Sequence, residues 1–172
     1  MNRTRDSRPQ ETPKTVIGWR EYVSLPDVGI DRIAAKADTG ARTGAIDVAN
    51  LKELAGGRVR FDLVIDRADP AGHITVTTDI ARRTRVRSSF GAAHERLLIR
   101  TRLKLGPVTK MVELGLVCRK NMLCRMLLGR AALEPEFLVD SSRRYLFGAA
   151  ARRKSAKGRP SARQGLGKRG TS

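Results

Sequence analysis

The sequence predicts an all-β domain, a barrel or a sandwich. Short apolar runs recur with polar residues alternating inside them. Turn-forming Gly, Pro and Asp punctuate the runs, and little helix is left between them. We expect about eight or nine short strands.

Taken in order, residues 1–14 read as a disordered lead, with Pro9, Pro13 and many charges. Thr15 to Leu25 is rich in β-formers (Val16, Ile17, Trp19, Tyr22, Val23), and Pro26-Asp27-Val28-Gly29 is a turn. Ile30 to Ala37 reads as the return strand, broken by Asp38-Thr39-Gly40-Ala41. Val59 to Ile65 has period 2, with Val59, Phe61, Leu63 and Ile65 on one face and Arg60 and Asp62 on the other. A turn at Ala68 to His73 leads to a strand over Ile74 to Ile80, and Arg85 to Ser88 reads as a short strand. Arg96 to Leu105 and Val108 to Val117 flank Gly106-Pro107 as a long hairpin. Met126-Leu127-Leu128 is a buried-type strand ending at Gly129, and Ala131-Ala132-Leu133 starts a helical turn that Pro135 stops. Phe137-Leu138-Val139 and Tyr145-Leu146-Phe147 complete a β-domain over residues 15–148, followed by a low-complexity basic tail over 149–172.

The formal net charge of the 172 residues is +18, and the tail carries eight Lys/Arg and no acid. The high charge invites a nucleic-acid reading, but an aromatic content of 4% leaves few platforms for base stacking. Only weak nucleic-acid contact through residues 149–172 is expected. The N-terminus lacks the apolar core of a secretory signal, and no apolar stretch approaches membrane-spanning length. Cys118 and Cys124 cannot make a disulfide framework. The expectation is a cytoplasmic protein without a membrane partner.

The sharpest motif is Lys36-Ala37-Asp38-Thr39-Gly40-Ala41-Arg42-Thr43. A carboxylate at a strand end, then Thr and Gly, suits an aspartic peptidase. Asp38 supplies the carboxylate, the Thr39 hydroxyl can bond backbone across a subunit interface, and Gly40 lets two such loops approach. Two carboxylates meeting there share a proton, because both cannot easily ionise. The bland reading is a turn after a strand. A second element, Met126-Leu127-Leu128-Gly129-Arg130, lies downstream. In the retroviral aspartic peptidase fold an apolar-apolar-Gly segment runs beside the D-T-G loop and completes its base. Leu127, Leu128, Gly129 and Arg130 are therefore the expected structural support. One chain carries one such carboxylate, so a dyad requires a homodimer.

Val16-Ile17-Gly18-Trp19-Arg20-Glu21-Tyr22-Val23, Leu25-Pro26 and the segment Ala35 to Thr43 resemble bacterial proteins labelled ATP-dependent zinc proteases, which are often associated with RimK-type ligases. The likeness continues through Val86 to Gly91, Arg119 to Met122 and Met126 to Leu133, and ends near Asp140. The resemblance implies a retropepsin-like barrel, closed or partly open, with one short helix. Members commonly continue after D-T-G-A-R-T with small-Ala-Leu-His-Ala, whereas here Asp47 stands where the His would be.

The zinc and ATP of that label find no counterpart in the residues. There is no His-Glu-x-x-His, His73 and His94 are far apart, and Gly165-Leu166-Gly167-Lys168 lacks the spacing of a phosphate loop. No metal and no cofactor are expected. Among the charges near the motif, Lys36 reads as a solvated strand residue and Arg130 as a structural ion pair at the dimer or loop base. Arg42 can hold a substrate carboxylate bidentately. Arg42, Thr43, Ser88 and Ser89 are the substrate-binding candidates. Arg83, Arg85 and Arg87 share one face of a basic run, either solvated or turned to an acidic partner. The expected function is peptide-bond hydrolysis by an Asp38 dyad across a homodimer, with a peptide or acidic protein tail as substrate. The alternatives are a non-catalytic peptide- or acidic-tail-binding module of the same fold, and an RNA-associated protein acting through its tail.

Overall fold

The computed structural model describes residues 13–65, 73–87, 93–118 and 124–148. The proposed tail, most of the lead, and Ser88 and Ser89 lie outside them. In chain order the strands are β1 (Thr15–Gly18), β2 (Arg20–Leu25), β3 (Ile30–Ala37), β4 (Gly44–Leu54), β5 (Arg58–Val64), β6 (His73–Asp79), β7 (Arg82–Arg87), β8 (Ala93–Leu105), β9 (Val108–Val117), β10 (Met126–Leu128) and β11 (Phe137–Asp140). A 3₁₀ turn occupies Pro26–Val28, and the helix α1 spans Arg130–Leu133.

Six strands close a barrel in the order β10-β3-β2-β8-β9-β4, because β10 pairs with both β3 and β4. β10 runs parallel to β3 (Met126 opposite Ala35) and antiparallel to β4 (Met126 opposite Ile46). β5 and β6 extend the sheet outward from β4, and β7 is laid on β8. Alternation turns Val23, Ile33, Ile46, Ile99, Leu114, Met126 and Leu128 into the barrel, each at most 3% exposed. Full burial of each such side chain contributes roughly 1.5–3 kcal/mol. None of the described helices is long and apolar enough to cross a membrane.

The fold is the expected all-β barrel with one short helix, but several elements differ from the sequence reading. The stretch 44–54, read without a strand, is an 11-residue strand. Its small and polar residues (Gly44, Asp47, Asn50, Lys52, Glu53) hide the alternation, and a bulge between Ala49 and Lys52 interrupts it, with Asn50 at φ 50°. The single run read from Thr15 to Leu25 divides at Trp19: β2 joins the barrel, while β1 pairs in parallel with β11 as a separate sheet. β7 and β8 begin three residues earlier than expected, at Arg82 and Ala93.

Tyr145-Leu146-Phe147 is not a strand. Tyr145 has φ 56°, and the segment is pinned by other means. The Trp19 N–H donates to the Arg143 carbonyl (2.9 Å) and the Tyr145 N–H to that of Arg20 (2.8 Å). Glu21, 1% exposed, accepts from the N–H groups of Gly18 (2.7 Å), Leu146 (2.8 Å) and Phe147 (3.1 Å). A buried carboxylate thus does here what a β-ladder was expected to do. Tyr145 also stacks on Tyr22, with ring centroids 4.5 Å apart.

Candidate active site

β3 delivers Asp38 to the open end of the barrel, directly beside β10. The Asp38 N–H donates to the Leu128 carbonyl (2.8 Å), continuing the β3–β10 ladder by one bond. The chain then turns: the Ala41 N–H lies 3.3 Å from both the Asp38 carbonyl and Asp38 Oδ1. After the turn, the Arg130 N–H donates to the Ala41 carbonyl (2.8 Å) and the Ala131 N–H to the Arg42 carbonyl (2.9 Å). The first turn of α1 therefore satisfies the returning limb of the loop.

Two of the supporting residues act through backbone geometry. A Cβ on Gly129 would lie 2.5 Å from the Thr43 carbonyl carbon and 2.7 Å from the Arg42 oxygen, so only glycine allows the contact. Arg130 sends one guanidinium nitrogen, Nη1, to the carbonyls of Thr39 (2.8 Å) and Gly40 (3.1 Å). Within one chain, Arg130 clamps the crest of the D-T-G loop by its carbonyl oxygens, and among the described residues no ion pair engages it. Leu128 is buried and Leu127 half-buried, the alternation expected of a strand with one face in the core.

Asp38 is half-buried, while Thr39 and Gly40 are exposed. Nothing among the described residues requires a glycine at position 40: a Cβ there would meet only Asp38 Oδ1, at an ordinary 3.4 Å. Lys36 is exposed on β3, opposite Arg20 on β2 and Leu127 on β10.

Beside the loop an open groove of about 710 Å³ is lined by Arg42, Thr43, Arg82, Thr84, Arg100 and Glu113, among others. Arg42 and Thr43, in the same segment as the motif, are thus part of the groove's lining. Arg82, Thr84 and Arg100 were not singled out. Their signal was strand alternation: on β7, Arg82 and Thr84 share one face and Arg83 and Arg85 the other. The two faces differ in role. Arg83 is engaged by Glu53 (2.5 Å) and Glu95 (3.3 Å), a structural network, so the Arg83 face is no bare patch.

Asp47 lies at the other end of β10. It is 3% exposed and ion-paired with Arg125, and its N–H donates to the Arg125 carbonyl (2.8 Å). At the position where the resemblance implies a His, the chain carries a compensated buried charge. Zinc finds no donor set among the described residues, where no group of three His, Cys, Asp or Glu is placed to hold a metal. Cys118 is exposed, and the buried Cys124 thiol is 3.6 Å from the Ala34 carbonyl. Burial of part of its side chain, and then the nearby Asp47 charge, push the Cys118 thiol up.

Comparison with known proteins follows this geometry. The chain is 31% identical over 142 residues to a Desulfotalea psychrophila protein described as a probable alpha-L-glutamate ligase, covering 81% of this chain and 31% of that one. A Shewanella pealeana protein of the same description is 33% identical over 138 residues, covering 78% of this chain and 30% of that one. The chain thus spans about a third of the length of these curated relatives. A crystal structure of a Legionella pneumophila protein of unknown function shares the fold, with a TM-score of 0.64, 22% identity, and coverage of 78% of this chain and 98% of that one. The family model described as RimB-like, the retropepsin-like aspartic endopeptidase RimB, matches residues 16–149, nearly the whole described barrel and its appended strands, and the chain belongs to that family.

Proposed function

We propose that the chain is an aspartic-type peptidase in which two copies each contribute Asp38 to one dyad. The observation that carries this reading is the D-T-G loop itself. It is fixed from below by Leu128, Gly129 and Arg130, yet it presents a half-buried carboxylate beside an exposed Thr and an exposed Gly that its own chain does not need. A glycine free of local demands suits a crest that meets a second crest. The small sheet of β1 and β11 supports self-association: Val16 and Leu138 are register partners, 46% and 53% exposed, and no third strand joins them among the described residues.

In the dyad the ionised carboxylate takes a proton from the attacking water. The protonated one donates to the carbonyl oxygen as the tetrahedral intermediate forms. Collapse of the intermediate breaks the C–N bond, and the amine leaves with a proton from the dyad. The substrate is a peptide with acidic side chains, because the groove beside the loop offers the guanidiniums of Arg42, Arg82 and Arg100. The description of relatives as probable alpha-L-glutamate ligases supports the same choice of side chain.

Cleavage of an acidic peptide by the parent and by Asp38→Asn tests the reading. The expected loss is at least about a thousandfold, with specific activity rising with protein concentration through the dimerisation range. Undiminished cleavage by Asp38→Asn would sink it. The cationic groove also supports a non-catalytic binding module, for which peptide would bind both the parent and Asp38→Ala with no turnover by either.

A further inference from the structure

On the outer face of β2 and β3 four side chains touch in succession. The Arg32 guanidinium lies 3.7 Å from the centre of the Tyr22 ring, Tyr22 stacks on Tyr145 at 4.5 Å, and the Arg20 guanidinium lies 5.7 Å from the centre of the Tyr145 ring. Lys36 is the register partner of Arg20, and Lys104 that of Ser24, so both stand exposed on the same face. Of the acids nearby, Asp27 is engaged by Arg102, and Asp31 precedes Arg32 on β3. The Arg20 Nε is buried without an acceptor among the described residues, so packing on the ring, not an acid, holds this side chain. Tyr145 keeps φ 56°, a left-handed conformation that bulky side chains avoid. Its N–H is tied to the Arg20 carbonyl (2.8 Å), and the next two N–H groups are tied to the buried Glu21. Backbone strain maintained by a buried carboxylate points to a ring whose place has a use.

We propose that this face is a docking surface for the phosphate backbone of a nucleic-acid strand. It does not depend on the peptidase dyad. A guanidinium stacked on a ring keeps its planar N–H edge for oxygen acceptors, and the stack removes side-chain freedom that a lone surface arginine would lose on binding. Arg20 and Arg32 are thus set in place at the two ends of the tyrosine pair, with Lys36 and Lys104 beside them as point charges. The rings are covered by each other and by the two arginines, so they give bases no platform. Recognition therefore runs through phosphates, without regard to sequence. The described chain leaves this face at Gly148, close after Tyr145, and residues 149–172 carry eight Lys/Arg and no acid. Face and tail present one sign of charge from adjoining points, which suits a long polyanion better than a small anion.

Fluorescence anisotropy of a labelled polyuridine RNA of about twenty nucleotides with the full chain, from about 50 mM salt upward, tests this. Arg20→Gln with Arg32→Gln is expected to weaken binding about tenfold and to make the slope of log affinity against log salt shallower by about 1.4, the loss of two phosphate contacts. Arg32→Gln alone, at an exposed position, should give about half of that change in slope and covers the case in which the Arg20 change disturbs folding. Arg20→Lys with Arg32→Lys keeps the charge, loses the planar stack, and should bind about threefold more weakly at an unchanged slope. Arg58→Gln with Arg60→Gln removes the same charge from β5 and should change affinity less than about twofold. Equal losses in the β5 pair and the Arg20–Arg32 pair would overturn the proposal, because overall charge would then account for binding. Absence of RNA binding by the parent would overturn it as well. A polyglutamate peptide of the same charge, bound as tightly as the RNA and with the same dependence on Arg20 and Arg32, would overturn it in favour of an acidic protein partner.

Discussion

Glu21 lies on β2 and Asp38 just past the end of the neighbouring β3, and the two face opposite demands. Glu21 is buried and its carboxylate accepts from three backbone N–H groups, those of Gly18, Leu146 and Phe147. Asp38 is half-buried, and its carboxylate accepts one long bond, from the Ala41 N–H at 3.3 Å. A buried acid that accepts three backbone bonds holds chain segments together. An acid with spare acceptors at a loop crest is available to a water, a proton or a second carboxylate. The contrast separates an acid that holds structure from one that is free to act.

The comparison breaks first at Asp38. In the proposed enzyme, Asp38→Asn removes at least about 4 kcal/mol of transition-state stabilisation and leaves the thermal midpoint nearly unchanged. A large fall in midpoint would place Asp38 with the structural acids. Glu21→Leu is expected to do the reverse. It orphans the three N–H groups of Gly18, Leu146 and Phe147, at about 2–4 kcal/mol, read from the urea midpoint, with activity per folded molecule preserved. Glu21→Gln, which keeps acceptor oxygen, should lose about half as much.

This division of labour was only partly legible in the sequence. Asp38-Thr39-Gly40 and Leu127-Leu128-Gly129 are short, local and chemically unusual in that order, so the barrel's open end could be read from them. Glu21 gave no such signal, because two of its three donors lie 125 and 126 residues away. The partner of Asp47, Arg125, is 78 residues distant, so nothing local marked the β4 strand that buries this acid. Arg130 was legible as support, but the nature of its contact was not. Side-chain chemistry suggests an acid for an arginine, whereas its acceptors are the carbonyls of Thr39 and Gly40, which every residue carries.

Arg130 sharpens the comparison between the two acids, since it acts on the loop without touching the Asp38 carboxylate in the structure. Arg130→Met releases the two carbonyls of the crest and lets the loop sample other positions. The expected result is a fall of about tenfold in kcat with KM little changed, because the lost contacts fix the reacting geometry rather than the groove. The same substitution should move the urea midpoint far less than Glu21→Leu, as the Arg130 side chain is exposed.

The smallest effect concerns a third kind of acid, held at the surface by neutral partners. Asp62 accepts from Thr75 Oγ1 (2.6 Å) and Asn50 Nδ2 (2.7 Å), tying the bulge of β4 to β5 and β6. These two bonds, the Thr75 bond first, lower its pKa below the model-compound 3.8. The sign follows from that direction. The folded state holds the Asp62 proton more weakly than the unfolded chain, so the stabilisation is fully present above the unfolded value. It is lost as the pH falls through the lowered folded value. Asp62→Asn removes the titration, so the fall in thermal midpoint between about pH 5 and pH 2 should be shallower than in the parent. Because the group is exposed to solvent, the change in slope should be small, and added salt should alter it little, since hydrogen bonds from neutral donors rather than distant charges set the shift. An equal slope in the two proteins would show that the β4 bulge is held by its backbone pairing alone.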